Sequence, residues 1–345
     1  MNTFLKKTIL LTLTAVLMLS VCGFASADEG VTFTAPAVTT ALDDSSNRVV
    51  IYSGAEEYRH AYFMERLTEQ FPDYDISIEY MPTGNLAAKL AAEGLDSEGD
   101  IFYDIDYSYA GMIEQYFADL SDYDQEIYME DCRVKSNKYL CETRNGGAII
   151  INPDLLAAKG LDEPTCYADL IKPEYKGLIS MPSPKSSGTG YMFVKNLVNA
   201  WGEDKAFDYF DQLAENILQF TTSGSGPVNA LVQGEAAIGL GMTAQAVTAI
   251  NNGSNLKIVF FEEGSPYSLY GFSVLDGKEN RKAVREVFDF FYTTLVVEDK
   301  ALFYPEKIYK DLDFEVENYP TNIHYGDMSG NTTEEKLRLL DNWEY

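Results

Sequence analysis

From Arg48 onward, short apolar runs alternate with longer segments whose apolar residues recur every third or fourth position, and this pattern predicts a chain of repeated strand and helix units. Val49 to Tyr52 reads as a strand. Glu56 to Phe71 reads as a helix with Phe63, Met64, Leu67 and Phe71 on one face, and Ile76, Ile78 and Tyr80 alternate as a half-buried strand. Leu86–Glu93 continues as helix, Asp100–Ile105 as strand and Tyr107–Phe117 as helix. A second series starts near Gly146, with strands at 148–151, 177–181, 236–240 and 257–261 and helices at 153–159, 191–201, 204–215 and 228–233. A strand at 271–275 then leads into a helix over 281–294 with Val284, Val287, Phe288 and Phe291 facing inward. Two such series imply an α/β protein of two lobes with mainly parallel sheet.

The candidate chemistry sits where strands pass into helices. Ser53-Gly54-Ala55 follows the first strand, and Thr83-Gly84-Asn85 follows the strand ending at Tyr80. Ser186-Ser187-Gly188-Thr189-Gly190 and the run from Thr221 to Pro227, with Ser223 and Gly224, repeat the same small, polar, glycine-containing composition. A helix start offers backbone N–H groups with no partner of their own, hydroxyls add further donors, and glycine admits a ligand close to the backbone. Such turns also serve as plain helix caps. Four of one kind in one chain point to a common cleft for an anionic or polyhydroxylated small molecule.

Composition narrows the class. With 345 residues and 46% hydrophobic content the chain can fill two cores. Lys6 and Lys7 precede an apolar run from Thr8 to Val21, and Ala25-Ser26-Ala27 fits a signal-peptidase site, so residues 1–27 read as an export signal and 28–47 as a flexible leader. Leu19-Ser20-Val21-Cys22 offers a second processing site, at which Cys22 would carry a lipid anchor. Cleavage after Ala27 takes the formal charge from −28 to −30. That acidity excludes nucleic acid as a partner and suits a protein working outside the cytoplasm. Cys132 and Cys141 either close a short disulfide loop or stay as buried thiols beside Cys166. The two histidines, His60 and His324, are far apart, no metal-ligand spacing occurs, and no hydrolase, nucleotide-binding or metalloprotease motif is present. The chain is therefore expected to be neither an enzyme nor a cofactor protein.

Several segments taken together carry a resemblance. Val-Val-Ile-Tyr-Ser-Gly-Ala-Glu-Glu at 49–57, Thr-Gly-Asn-Leu-Ala-Ala-Lys-Leu at 83–90, Asp-Ile-Phe-Tyr-Asp-Ile-Asp at 100–106, the stretch 173–191 and Gln-Gly-Glu-Ala-Ala-Ile-Gly at 233–239 resemble the extracellular solute-binding proteins of ABC importers, in the group that takes ferric iron, 2-aminoethylphosphonate or hexose phosphates. The resemblance implies the type II periplasmic-binding fold: two lobes, hinge strands, ligand in the interlobe cleft and closure on binding. It places residues 48–145 with 268–300 in the first lobe and 146–267 with 301–345 in the second, with crossings near Asn145-Gly146-Gly147 and Tyr267–Tyr270. It implies ligand contacts from Ser53, Gly54, Ala55, Thr83, Gly84 and Asn85, and from Asp106, Tyr107 and Ser108, where Asp106 also reads as a helix cap. From the second lobe it implies Ser186, Ser187, Gly188, Thr189, Gly190, Ser223, Gly224, Gly241, Met242 and Thr243, with Tyr270 either stacking on ligand or packing at the hinge.

Two departures from the group shape the expected ligand. Many relatives carry Arg after the first Ser-Gly, and here Ala55 stands there, leaving Arg144 as the candidate cationic partner. Iron-binding relatives use adjacent tyrosines late in the chain, and Leu-Gly-Met-Thr-Ala-Gln at 240–245, just after Gly239, has none. The expected function is an exported, periplasmic or cell-surface receptor that delivers a phosphonate or phosphorylated anion to an ABC importer permease. The alternatives are a polyamine or ferric-iron receptor of the same fold, or a sensing domain for a membrane signalling partner.

Overall fold

The computed structural model describes residues 33–345; the export signal, Cys22 and the start of the leader lie outside the described residues. Nine strands form the framework: β1 (Arg48–Ser53), β2 (Asp75–Tyr80), β3 (Ile101–Asp106), β4 (Leu140–Ile151), β5 (Ile179–Pro182), β6 (Ile217–Thr221), β7 (Ile238–Met242), β8 (Lys257–Val259) and β9 (Tyr267–Val274). They run in the order β2-β1-β3-β9-β4-β7-β5-β6, with β8 beside β4. Pairing is parallel in the flanks, between β1 and both β2 and β3, and between β5 and both β6 and β7. At the centre β9 is antiparallel to β3 and β4, and β4 is antiparallel to β7 and β8. The expectation of a mainly parallel sheet is corrected there, because β4 and β9 run directly between the lobes and need no crossover helix.

The connection through Gly146-Gly147 is a strand, not a turn. β4 pairs with β9 from Leu140 to Gly146 and with β7 from Gly147 to Ile151, so one continuous strand changes partners at the lobe boundary. Around it, Val49, Ile51, Phe63, Leu67, Phe272 and Phe291 belong to the first lobe's core, and Ile149, Ile179, Phe193, Leu197, Phe210 and Leu240 to the second's. Each fully buried side chain of this size contributes about 1.5–3 kcal/mol. No helix among the described residues is long and apolar enough to cross a membrane.

Several helices depart from the sequence pattern at their ends. Gly188–Trp201 and Thr83–Glu93 each begin three residues before their apolar face does, so the polar turn residues form the first helical turn. The helix expected over 281–294 runs as Lys282–Phe290, passes through a wide turn at Phe291–Leu295 and continues over Val296–Leu302.

The C-terminal tail touches both lobes. Ile308 and Tyr309 pack in the first core, and Met328 and Trp343 in the second. Between them the helix Thr333–Asp341 spans the boundary. Thr333 Oγ1 donates to the Ser108 carbonyl at 3.1 Å and Lys336 Nζ to Ser108 Oγ at 3.0 Å, both in the first lobe. Glu335 pairs with Lys195 of the second lobe at 3.2 Å. The Lys336 ammonium is buried, 3.1 Å from the Tyr109 ring centroid and 4.2 Å from that of Tyr191.

Burial drives the Lys336 pKa from 10.5 down to about 7, against the pull of Asp106. A lysine whose folded pKa is depressed contributes full stability above its unfolded pKa and loses it as pH falls towards the folded one. Wild type is therefore expected to lose stability relative to Lys336→Met as pH drops from 10.5 to about 7, and the difference is expected to level off below that. Paired thermal melts across this range check it, and a difference independent of pH would contradict the buried charge.

Candidate functional site

The polar turns converge on a narrow cavity between the lobes with a free volume of about 30 Å³. The first lobe contributes Gly54, Glu56, Tyr80, Pro82, Thr83 and Asp104; the second contributes Ser187, Gly188, Thr189, Met242 and the turn Ser223-Gly224-Ser225; Asn145 and Tyr270 come from the connecting strands. That free volume is room for about one or two waters, so a solute enters only as the lobes part. Tyr80 closes the mouth, its hydroxyl 2.5 Å from Ser223 Oγ across the cleft.

Backbone donors dominate the second-lobe side. Ser187 caps its helix by accepting from the Gly190 N–H at 3.5 Å, while Gly188 and Thr189, the next two residues, have no acceptor for their own N–H groups among the described residues. The same holds for Gly224, and across the cleft for Thr83 and Gly84 at the start of the helix Thr83–Glu93. Four of these five residues line the cavity. The helix dipoles add positive potential at those ends.

The opposite wall is built on a buried arginine. Arg59, fully buried in the helix Glu57–Gln70, donates to Asp299 Oδ1 and Oδ2 at 2.9 and 2.8 Å, to Asp104 Oδ1 at 3.0 Å and to Glu142 Oε2 at 3.0 Å. Glu56 Oε2 lies 3.5 Å from the same guanidinium, and Glu56 Oε1 accepts from the Tyr304 hydroxyl at 3.1 Å. Asp104 is aimed by the backbone: its φ of 61° is left-handed, and the β3–β9 register slips between Phe102 and Ile105. Burial pushes the Glu56 carboxyl up to about 7 and those of Asp104 and Glu142 upward, with Arg59 opposing all three.

The residues expected from sequence divide into three groups. Gly54, Thr83, Ser187, Gly188, Thr189, Ser223, Gly224, Met242 and Tyr270 line the cavity. Others stand behind it: Ser53 holds the first turn by accepting from the Ala55 N–H, Ala55 lies in the core, and Gly84 approaches the Ser186 carbonyl from across the cleft. Asp106 caps the helix Tyr107–Ile113 through the Ser108 N–H at 2.7 Å, and its other oxygen, buried without a hydrogen bond, faces Gly188. Gly190 packs on the Pro182–Pro184 backbone, Gly241 pairs with Ala148 in the sheet, and Thr243 opens the helix Thr243–Asn251.

The third group lies away from the cavity. Asn85 is exposed, and Tyr107 packs on Tyr139 and donates to the Cys132 carbonyl. Arg144 binds Asp131 at 2.5 Å and stacks on Tyr267 and Tyr325. Cys132 and Cys141 are buried free thiols. Sequence reasoning did not name Glu56, Tyr80, Pro82, Asp104, Asn145 and Ser225 as lining residues; Ser225 lies inside the 221–227 turn, and Glu56 and Pro82 adjoin the 53–55 and 83–85 turns. Among the described residues no group of His, Cys, Asp and Glu is arranged to hold a metal ion.

Residues 95–314 match the family profile described as bacterial extracellular solute-binding protein. An uncharacterized protein of Haemophilus influenzae is 30% identical over 248 residues, 69% of this chain and 70% of that one. The phosphoglycerate transport regulatory protein PgtC of Salmonella typhimurium is 26% identical over 124 residues, 36% of this chain and 30% of its own length. Among solved structures, the periplasmic binding protein AfuA of Actinobacillus pleuropneumoniae, with fructose-6-phosphate bound, superposes with a TM-score of 0.74 at 26% identity, covering 86% of this chain and 97% of AfuA.

The cavity geometry predicts how closure can be blocked. A Cβ at Gly188 would strike Asp106 Oδ2 and the Tyr270 hydroxyl, and one at Gly84 would lie 2.8 Å from the Ser186 carbonyl oxygen, contacts that exist only when the lobes meet. Overpacking costs about 1–3 kcal/mol, so Gly188→Ala and Gly84→Ala are each expected to weaken solute retention by about one to two decades. Their circular dichroism and melting without solute should match wild type. Wild-type retention in the folded variants would show that the lobes do not approach this closely.

Proposed function

The chain belongs to the bacterial extracellular solute-binding proteins, and on that premise we propose that it is an exported receptor that closes on one small phosphorylated or phosphonate anion and delivers it to an ABC importer permease. One observation carries the choice of ligand: Thr83, Gly188, Thr189 and Gly224, whose N–H groups have no acceptor among the described residues, all line one cavity. A tetrahedral oxyanion has several acceptor oxygens to meet them, and a cation would be repelled by the helix ends. Charge elsewhere on this acidic chain acts weakly at the site, since salt screens it beyond about 8–10 Å. The fructose-6-phosphate of AfuA and the phosphoglycerate in the name of PgtC are solutes of this class. The name of PgtC also favours a second reading, in which the closed form reports solute to a membrane signalling partner.

Calorimetry with 2-aminoethylphosphonate, fructose 6-phosphate, spermidine and ferric citrate tests the ligand class. At least one phosphorus compound is expected to bind, and at a hundredfold excess over Kd to stabilise the fold by about 2.7 kcal/mol. Tight spermidine or ferric binding with no phosphorus compound recognised would overturn the assignment.

A further inference from the structure

Two cysteines meet where the chain enters the hinge strand β4. Cys132 ends the short helical turn Glu130–Cys132, Cys141 is the second residue of β4, and both are fully buried in the first lobe's core. The Cys141 thiol donates to the Cys132 sulfur, and the Tyr107 side chain reaches both residues, its hydroxyl donating to the Cys132 carbonyl at 3.0 Å. Cys166 stands apart, exposed at the cap of the helix Tyr167–Leu170, whose Tyr167 and Leu170 pack in the second core. The contact joins a loosely structured stretch to a rigid one. Between Phe117 and Leu140 the turn Glu130–Cys132 is the only helix or strand, whereas β4 runs through both lobes and carries Glu142, the residue after Cys141, which accepts from Arg59 at 3.0 Å.

Of the two sulfurs, Cys132 is the one set to ionise. The hydrogen bond from Cys141 and the Arg144 guanidinium, whose Nη2 lies 3.7 Å from Cys132 Sγ, lower its pKa against the effect of burial, while burial raises that of Cys141. A sulfur that ionises readily beside a second thiol is the arrangement from which thiol–disulfide exchange proceeds. In the finished fold both sulfurs are shut away from reagents, so the exchange belongs to the folding chain. An exported protein folds in a compartment that permits it.

We propose that Cys132 and Cys141 form a disulfide in the exported protein, by exchange with an oxidising disulfide, and that this bond ties the stretch 118–139 to the hinge strand. The Cys132 thiolate attacks one sulfur of the reagent and displaces the other as a thiolate, leaving a mixed disulfide on Cys132. Cys141 then loses its proton, attacks Cys132 Sγ and displaces the second reagent sulfur. Two cysteine thiols have given up two protons and two electrons, and the reagent disulfide has taken them up as two thiols. The bond closes a short loop in the unfolded chain and so favours the folded one. The proposal is independent of the oxyanion reading.

The test maps the cysteines of the wild-type protein, exported by its own signal into an oxidising periplasm and purified without reductant. After denaturation in iodoacetamide and digestion, mass spectrometry should find the Cys132 and Cys141 peptides joined, two hydrogens lighter than the dithiol, with Cys166 alkylated. In the folded protein dithiothreitol should leave the bond intact, and in guanidinium it should break it. Protein reduced in guanidinium and refolded with reductant present should melt roughly 5 °C or more below the oxidised form. Cys132 and Cys141 both alkylated in the exported protein, either one capped by a small thiol, or a bond from either to Cys166 would overturn the disulfide. Equal melting of the oxidised and reduced forms would overturn the tie to the hinge strand.

Discussion

A backbone N–H that loses water without gaining an acceptor costs about 1–3 kcal/mol, and this protein gathers around one small cavity several residues whose N–H groups have no acceptor among the described residues. Much else in the fold follows from that constraint. The donors come from both lobes, so no single lobe can satisfy a ligand held by all of them, and the full set assembles only when the cleft is shut. Closure in turn demands close backbone approach, which is why glycine stands at 84 and 188, where any side chain would meet the opposite lobe. The strands that carry the chain across, β4 and β9, are paired with each other at the boundary and bring Asn145 and Tyr270 to the cavity.

The first lobe answers those donors with acid groups arranged by one guanidinium. Arg59 ties its own helix to β3, β4 and the helix Val296–Leu302, through Asp104, Glu142 and Asp299. Breaking a buried pair of this kind by removing one partner typically costs about 3–5 kcal/mol, so the network fixes the wall of the cleft firmly. Two of its carboxylates, Glu56 and Asp104, line the cavity. The tail helix Thr333–Asp341 works from the far side, bonded to Ser108, whose own hydroxyl donates to Asp106 at 2.7 Å. Ligand wall, hinge strands and tail are thus joined by hydrogen bonds that can be followed residue by residue.

Local pattern made the framework legible. β1, β2 and the helix Glu57–Gln70 stand within a residue or two of their predicted limits, because alternation and the Phe63–Leu67 face are local signals. β6 and the helix Thr243–Asn251 gave no such signal: Ile217–Thr221 has no fully buried residue, and the helix is rich in small and polar residues. The antiparallel centre is equally hidden, since strand direction depends on where the chain returns. At the site, turn composition pointed to seven residues that line the cavity, and the resemblance added Met242 and Tyr270. Asp104 escaped notice because it lies inside an apolar strand, and only its left-handed φ aims it at Arg59. Arg59 itself reads as one polar residue on an amphipathic helix; its partners at 104, 142 and 299 are distant in sequence, and their convergence is a property of the fold.

The central claim is that helix-start N–H groups from both lobes hold the solute's oxyanion. Amide-proton NMR of the ¹⁵N-labelled protein, titrated with phosphoethanolamine, reads those groups individually. The account predicts downfield shifts at Thr83, Gly188, Thr189 and Gly224 as their protons gain a charged acceptor. Shifts confined to one lobe, or to residues away from these helix starts, would contradict it.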